Sequence, residues 1–153
     1  MREVIDQCTQ PYYNHRKGCP NFGKKEGCPP RSKHITEIYD ISSLHMLVMR
    51  FSFGQYIKKK RINHPEWSNR ALANQRHWQA HLRSQLVNQW EIQEKYLYPN
   101  FELEMDPEAH GVNVVATLGS YGIQLDWCVE GENHDLVSFP EYMYHVFLFG
   151  QKI

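Results

Sequence analysis

Three of the four cysteines of this chain lie in one short stretch, residues 8–30, with the sequence CTQPYYNHRKGCPNFGKKEGCPP. Residues 1–33 are rich in proline, glycine and lysine, and they show neither the helical nor the strand spacing of apolar residues. Because no regular pattern orders this segment, we expect it to be held in place by whatever its thiols bind. Residues 1–33 are therefore predicted to form an irregular loop around a metal centre.

The cellular compartment decides which chemistry such a group of thiols favours. No apolar segment precedes the first cysteine in MREVIDQC, so we expect no secretory signal and a cytoplasmic, reducing location. In a reducing compartment, clustered cysteines bind metals or carry out redox chemistry more often than they form disulfides. The mean hydropathy of −0.64 and the lack of a long apolar run also predict that the chain does not span a membrane.

A Gly-Cys-Pro unit occurs twice in the cysteine loop, at residues 18–20 and 27–29, within the spacing C-x10-C-x8-C-P-P. Glycine before a ligand lets the backbone approach a metal closely, and proline after it fixes the direction in which the chain leaves. Structural zinc sites usually contain cysteines two to four residues apart, and this chain has no such pair. An iron–sulfur cluster is wider than one ion and accepts ligands from separate turns, so the spacing favours a 4Fe–4S cluster, with zinc as the alternative.

Cys8, Cys19 and Cys28 are the predicted ligands of this centre. Three thiolates hold three irons of a 4Fe–4S cluster, which leaves one ligand position unassigned. His15 inside the loop and Cys128 far along the chain are the protein candidates for that position, although a core role is the simpler interpretation of Cys128. A partner or a substrate is the other candidate, since an open iron implies chemistry. A redox partner or a small-molecule substrate is therefore expected, while the reaction itself is not identifiable from the sequence.

Two stretches of the chain together resemble one protein family. GCPNFGKKEGCPP resembles the cysteine signature of a family of small predicted metal-binding proteins of bacteria and archaea, whose function is unknown. PEAHGVNV at residues 107–114, followed by Thr117 and by GIQL at residues 122–125, is similar to the Glu-Ala-x-Gly segment of the same family. Many members carry a further cysteine-rich segment before this one, whereas YLYPNFELEMD has no cysteine.

This resemblance implies a role for some of the cysteines but no reaction. It implies that Cys19 and Cys28, together with Cys8, are metal ligands. Because the second cysteine segment is missing, it does not imply a second metal centre in this chain.

Three apolar stretches outside the cysteine loop are typical of β-strands. Residues 44–53 and 142–149 are compact apolar runs, and residues 123–128 alternate between apolar and polar side chains. The basic segment QYIKKKRINHP, which follows the first stretch, is expected to be a connector. A short helical turn capped by Ser32 is expected around residues 32–39.

A long helix is predicted over residues 65–96, because Pro65 suits a first helical turn. Four large apolar residues recur at every fourth position within it and form one side of the helix: Trp78, Leu82, Leu86 and Trp90. Ala71 and Gln75 extend the same row. We interpret this row as a core-facing stripe, since an aromatic stripe at helical spacing is far more often packing than a cofactor site.

A second helix is predicted to begin at Asp106, where Pro107 suits the first helical position, and to end at Gly119 or Gly122. Together these elements predict an α+β fold, a small, mainly antiparallel sheet packed by two helices. At 153 residues the chain is expected to be one domain, with the cysteine loop at residues 1–33 and the α+β core at residues 34–153.

The charge distribution supports an alternative function. Residues 1–100 carry sixteen lysines and arginines against eight acids, while residues 101–153 carry nine acids and only Lys152 as a basic residue. Lys58, Lys59, Lys60 and Arg61, close to Tyr56, suggest a basic patch, although a solvated face is the commoner explanation. The alternative is therefore a zinc-stabilised binding module whose basic face engages nucleic acid or a phosphorylated ligand.

Two further pairs of residues suggest chemistry only weakly. His77 and His81 are four residues apart and are expected to share a helix face, a spacing that also occurs in metal sites, but hydrogen-bonded or exposed histidines are the simpler interpretation. Glu108 and Asp126 are candidate acid–base groups, and nothing in the sequence pairs them with each other.

Overall fold

A computed structural model describes residues 2–11, 15–132 and 135–153 of the chain. No helix in these ranges combines the length and the apolar character that crossing a bilayer requires. The α-helices are α1 (Arg2–Gln7), α2 (Phe53–Asn63), α3 (Asn69–Leu72), α4 (Gln79–Gln89), α5 (Lys95–Leu97) and α6 (Val114–Ser120). The strands are β1 (His45–Phe51), β2 (Glu102–Glu104), β3 (Val129–Glu130), β4 (Leu136–Ser138) and β5 (Met143–Gly150).

An antiparallel three-stranded sheet in the order β1-β5-β2 forms the centre of the fold. His45 of β1 lies opposite Phe149 of β5, and Phe51 lies opposite Met143 at the other end of the register. The last five residues of β5 are all buried, because this strand lies between two others and is covered on both faces. Strands β3 and β4 form a separate two-stranded sheet. The predicted α+β class with a small antiparallel sheet is confirmed.

The row of large apolar residues predicted along the long helix is confirmed as core. Leu82 and Leu86 of α4 are buried, as are Trp78 just before this helix and Trp90 just after it. The second half of the row packs against the sheet through three buried residues, Leu47, Phe147 and Phe149. Helix α4 continues into a π-helical stretch, Trp90–Glu94, and then into α5. This continuous segment, residues 79–97, covers one face of the sheet.

The predicted beginning of that helix is wrong. Residues 65–78 contain only α3 and a 3-10 turn, Gln75–His77, because Ser68 and Asn74 accept hydrogen bonds from the backbone N–H groups of Ala71 and Arg76 and so start two separate short turns. The predicted connector is instead helix α2. The sequence predicts a connector here because most residues of the segment are polar or basic. Two buried residues one turn apart, Phe53 and Ile57, anchor it as a helix. Ala71 and Gln75 do not extend the buried row, and Gln75 is exposed.

The helix predicted from Asp106 is divided into two elements. A 3-10 turn, Pro107–His110, ends at Gly111, whose φ of +81° is a left-handed conformation that favours glycine. Helix α6 then begins at a new cap, where the Asn113 side chain accepts a hydrogen bond from the N–H of Ala116 at 2.9 Å. Asp106 makes no cap, because its carboxylate binds Arg83 instead.

Three smaller predictions also require correction. Residues 123–128 form no strand; Ile123 and Leu125 pack against the cluster around Leu118 without a pairing partner, and regular structure resumes in β3. The turn near residue 35 is a 3-10 helix, Ile35–Glu37, capped by His34 rather than by Ser32. Helix α1 forms the first turns of the cysteine segment, and residues 8–11 and 15–33 contain no further helix and no strand.

Candidate metal centre

Backbone hydrogen bonds between separate turns hold the cysteine loop together. The N–H of Cys19 donates to the carbonyl oxygen of Cys8 at 2.7 Å, and the N–H of Gly23 donates to the carbonyl oxygen of Pro29 at 2.8 Å. The first of these bonds brings together two of the predicted ligands, which are eleven positions apart in the chain. Hydrogen bonds therefore connect separate turns of the loop, which the sequence pattern did not predict.

Gly18 allows the close approach of the first two cysteine turns. Its φ is +79°, and a Cβ added at this position would lie 2.6 Å from the carbonyl oxygen of Cys8 and 2.9 Å from that of Thr9. Contacts this short to backbone atoms are not tolerated, so the turn requires glycine. Gly27, which precedes the third cysteine, has the same φ of +79° but no atom within 4 Å of the added Cβ. The two Gly-Cys-Pro units therefore differ, since only the first is packed against another turn.

An open cavity of about 1060 Å³ lies beside this turn. Cys8 and Cys19 line it, and so do both candidates for the remaining ligand position, His15 and Cys128. Cys28 is not part of this wall. Four basic residues contribute to the same wall: Arg16, Lys17, Lys24 and Arg70. Glu130 is also on this wall, so the cavity combines thiols with an excess of basic over acidic side chains.

The Cys8 thiol is affected by burial and by the other two thiols of the loop. Burial raises the pKa of the Cys8 thiol, and the neighbouring thiolates of Cys19 and Cys28 raise it further. Glu108 acts in the same direction. A bound cation would reverse this effect, because metal ligation requires the deprotonated sulfur. Within residues 2–11, 15–132 and 135–153, no three His, Cys, Asp or Glu side chains are arranged as the donor set of one metal ion.

Cys128 differs from the other cysteines in its surroundings. It packs against the apolar cluster around Phe53 and Leu72, as expected for a core residue, but it also contributes to the cavity wall. Burial raises the pKa of its thiol, with a further contribution from Asp126 and none from the loop cysteines. Both interpretations of this residue, core residue and fourth ligand, have a structural basis.

The residues that follow the cysteine signature contact the second stretch of the family resemblance. The hydroxyl of Ser32 donates to the carbonyl oxygen of Ala109 at 2.6 Å, and Nδ1 of His110 lies 2.7 Å from the carbonyl oxygen of Lys33. Helix α1 also packs on the 3-10 turn Pro107–His110. The cysteine loop is therefore fastened at both ends to this turn.

The chain was compared with known proteins by sequence and by structure. No protein-family model, no curated protein and no solved structure matches it. The resemblance to the predicted metal-binding family accordingly remains a prediction.

The structure also brings together residues that the sequence left unpaired. Glu108 and Asp126 line a second cavity, which they share with Asp106, Arg83 and His145. These residues come from helix α4, strand β5 and the segments around the 3-10 turn, so no local spacing relates them. No single helix, strand or turn contains all of these residues, so no sequence motif could have predicted the group.

The predicted histidine pair does not share a helix. His77 belongs to the 3-10 turn, with its ring centroid 4.9 Å from that of Trp67, whereas His81 lies in α4. The expected common face is therefore wrong, and His77 takes part in a ring contact instead.

Proposed function

We propose that this protein binds an iron–sulfur cluster, of the 4Fe–4S type, through Cys8, Cys19 and Cys28. The observation that carries the proposal is the 2.7 Å hydrogen bond from the N–H of Cys19 to the carbonyl of Cys8, made on the wall of one cavity. A zinc knuckle takes its cysteines from one turn, whereas this bond joins two separate turns. It therefore supports a centre whose ligands come from separate turns, as those of an iron–sulfur cluster can. Zinc, held by the same thiols, is the alternative occupant.

The charges around the loop suit such a centre. A cluster ligated by thiolates is anionic, and burial together with the neighbouring thiolates of Cys19 and Cys28 raises the pKa of Cys8, so a bound cation would favour its ligating form. Arg16, Lys17 and Lys24 line the cavity and offset this negative charge. The donor chemistry of the loop therefore fits the proposed group.

The fourth position determines what the centre would do. His15 and Cys128 both line the cavity, and ligation by either would complete the set and suit electron transfer with a redox partner. If neither residue binds, an exposed iron supplies a Lewis acid for a small-molecule substrate that enters through the open cavity. The protein's own part is the same in both cases: its basic walls hold the thiolates and attract an anionic molecule.

Purification without oxygen tests the identity of the metal. We expect a brown protein that contains iron and acid-labile sulfide, with absorption in the visible range, because thiolate-to-iron charge transfer gives clusters their colour. Iron, sulfide and zinc per chain are the quantities to measure. A colourless protein with one tightly held zinc ion would contradict the cluster and support the alternative occupant. A protein with neither metal would contradict both.

A second candidate function, nucleic-acid binding by the basic face, is favoured by one arrangement of side chains. The ring of Trp67 stacks on His64, with centroids 4.1 Å apart, beside helix α2. Nζ of Lys60 lies 5.7 Å from the Trp67 ring and 5.8 Å from the Tyr56 ring. Aromatic faces next to basic side chains are what single-stranded nucleic acids use for stacking and phosphate contacts.

The salt dependence of binding tests this candidate. A thymidine oligonucleotide should bind with an affinity that falls steeply with salt, and changing Lys58 and Lys59 to glutamine should reduce the slope of log K against log salt by about 0.7 for each phosphate that is no longer neutralised. Lys95→Gln, on another helix, is the matched control and should leave the slope unchanged. Equal slopes in all three proteins would exclude the basic face as the binding surface.

A further inference from the structure

A cavity of about 400 Å³ lies between α1, the 3-10 turn Pro107–His110, α6 and β5. Its volume is within the range of sites for small organic molecules. Val4 and Gln7 of α1 contribute to its wall, while Cys8, the next residue, contributes to the wall of the cysteine cavity. The two cavities are therefore neighbours with different walls, and nothing in the proposed metal centre accounts for the second.

The charged groups on this wall do not balance. Three carboxylates, of Asp106, Glu108 and Asp126, face one guanidinium, that of Arg83. Nη1 of Arg83 donates to Oδ1 of Asp106 at 3.0 Å, and Nζ of Lys25 lies 3.8 Å from Oδ2. Burial opposes ionisation of Asp106, but the hydrogen bond and the charge of Arg83 lower the pKa of this carboxyl. The one guanidinium is thus already used to neutralise one of the three carboxylates.

Glu108 and Asp126 have no such partner. No basic side chain in the described ranges forms an ion pair with either of them. The Glu108 residue is exposed to solvent, yet burial of its carboxyl among protein atoms raises its pKa, while its own backbone N–H and the charge of Arg83 act in the opposite direction. His145, the remaining titratable group on this wall, does not compensate. Burial and the charge of Arg83 lower its pKa against the opposing charge of Asp106, so its surroundings disfavour a positive charge on the ring.

Aromatic rings are placed beside these carboxylates. Trp127 lines the cavity and is 61% exposed, so its indole is accessible to a bound molecule. The backbone N–H of Trp127 donates to Oδ1 of Asp126 at 2.9 Å, which orients this carboxylate, and both residues contribute to the cavity wall. Trp78 and Tyr144 also contribute to the wall. Ring faces carry negative electrostatic potential and attract cations.

We propose that this cavity binds a small organic cation, a protonated primary amine that carries an apolar group. Glu108 and Asp126 are the counter-ions, the N–H groups of the ammonium donate to their oxygens, and Trp127 covers the cation with its ring. Leu118, Val114 and Val146 provide the apolar surface for the remainder of the molecule. The proposal does not depend on the metal centre, because none of the predicted metal ligands lines this cavity.

Three probes of one shape and different charge test the proposal on the unmodified chain. Benzylamine is the cation, benzyl alcohol is its neutral counterpart, and benzoate is the anion. Titration followed by the NMR signals of the Trp127 indole and of the Glu108 backbone amide gives the affinities and the location. We expect benzylamine to bind about tenfold more tightly than benzyl alcohol, because only the cation gains an ion pair in a partly desolvated site, and benzoate to bind most weakly.

Glu108→Gln keeps the shape of the side chain and removes its charge, so it should weaken benzylamine binding about tenfold and leave benzyl alcohol binding unchanged. Glu91→Gln, on the π-helical stretch, is the matched control and should have no effect. Benzoate binding as tight as that of benzylamine, or an unchanged affinity for benzylamine in Glu108→Gln and Asp126→Asn, would overturn the proposal.

Discussion

Cys19→Ser should abolish metal binding and loosen residues 1–33. The thiolate of Cys19 is a ligand of the proposed cluster and a serine hydroxyl does not replace it, since thiolates are the protein ligands that hold iron–sulfur clusters. The same residue's N–H holds the turn against Cys8, but this backbone bond survives the substitution, so the side chain alone is tested. The measurements are iron and sulfide per chain, together with hydrogen exchange over residues 1–33.

The other cysteines provide the controls for this experiment. Cys28→Ser should lose the metal in the same way, because Cys28 is the third proposed ligand and its thiol is close enough to raise the pKa of Cys8. Cys128→Ser should retain the metal if this residue is only part of the core. Equal loss in all three variants would identify Cys128 as a ligand, as its position on the cavity wall allows. Full metal content in Cys19→Ser would refute the proposed ligand set.

Gly18→Ala should destabilise the cysteine loop and impair metal binding without removing any ligand. The added Cβ would lie 2.6 Å from the carbonyl oxygen of Cys8, which is a backbone atom and cannot rotate away. The left-handed conformation at a φ of +79° adds about 1–2 kcal/mol for a residue with a side chain. We therefore expect the first two turns to separate, and the metal content and the free energy of unfolding both to fall.

Gly27→Ala is the matched control, because Gly27 has the same φ of +79° but open space around the added Cβ. It should show only the conformational cost of about 1–2 kcal/mol, with most of the metal retained. Unfolding by denaturant and metal analysis compare the two variants. If Gly18→Ala and Gly27→Ala behave alike, the packing of the Gly18 turn against Cys8 has no role in the centre.

Sequence patterns predicted elements correctly where the controlling information is local. The runs at residues 44–53 and 142–149 contain the paired strands β1 and β5, although Phe53 already belongs to α2. Consecutive apolar side chains suit a strand covered on both faces, as β5 is. The row that includes Leu82 and Leu86 became core for a similar reason, since a fourfold repeat is the period of one helix face. Neither prediction required knowing which other element the strand or helix packs against.

Predictions failed where a few contacts outweighed the local pattern. Helix α2 is held by Phe53 and Ile57, while most of its other residues are polar or basic and suggested a connector. The helix predicted from Asp106 ends early, because Gly111 takes a left-handed conformation and Arg83 binds the aspartate that was expected to cap. In both places a few particular contacts or one backbone angle decided the structure, and the average character of the segment did not reveal them.

The cysteine loop combines both situations. The sequence by itself determined which residues form it, because the repeated Gly-Cys-Pro units and their spacing are properties of one short segment. Only the tertiary structure decided that Cys128 lies on the same cavity wall and that Glu108 and Asp126 line a second cavity. These residues are far apart in the chain, and packing of α1, α6 and β5 brings them together. Proximity of this kind depends on the fold as a whole and leaves no periodic signal in the sequence.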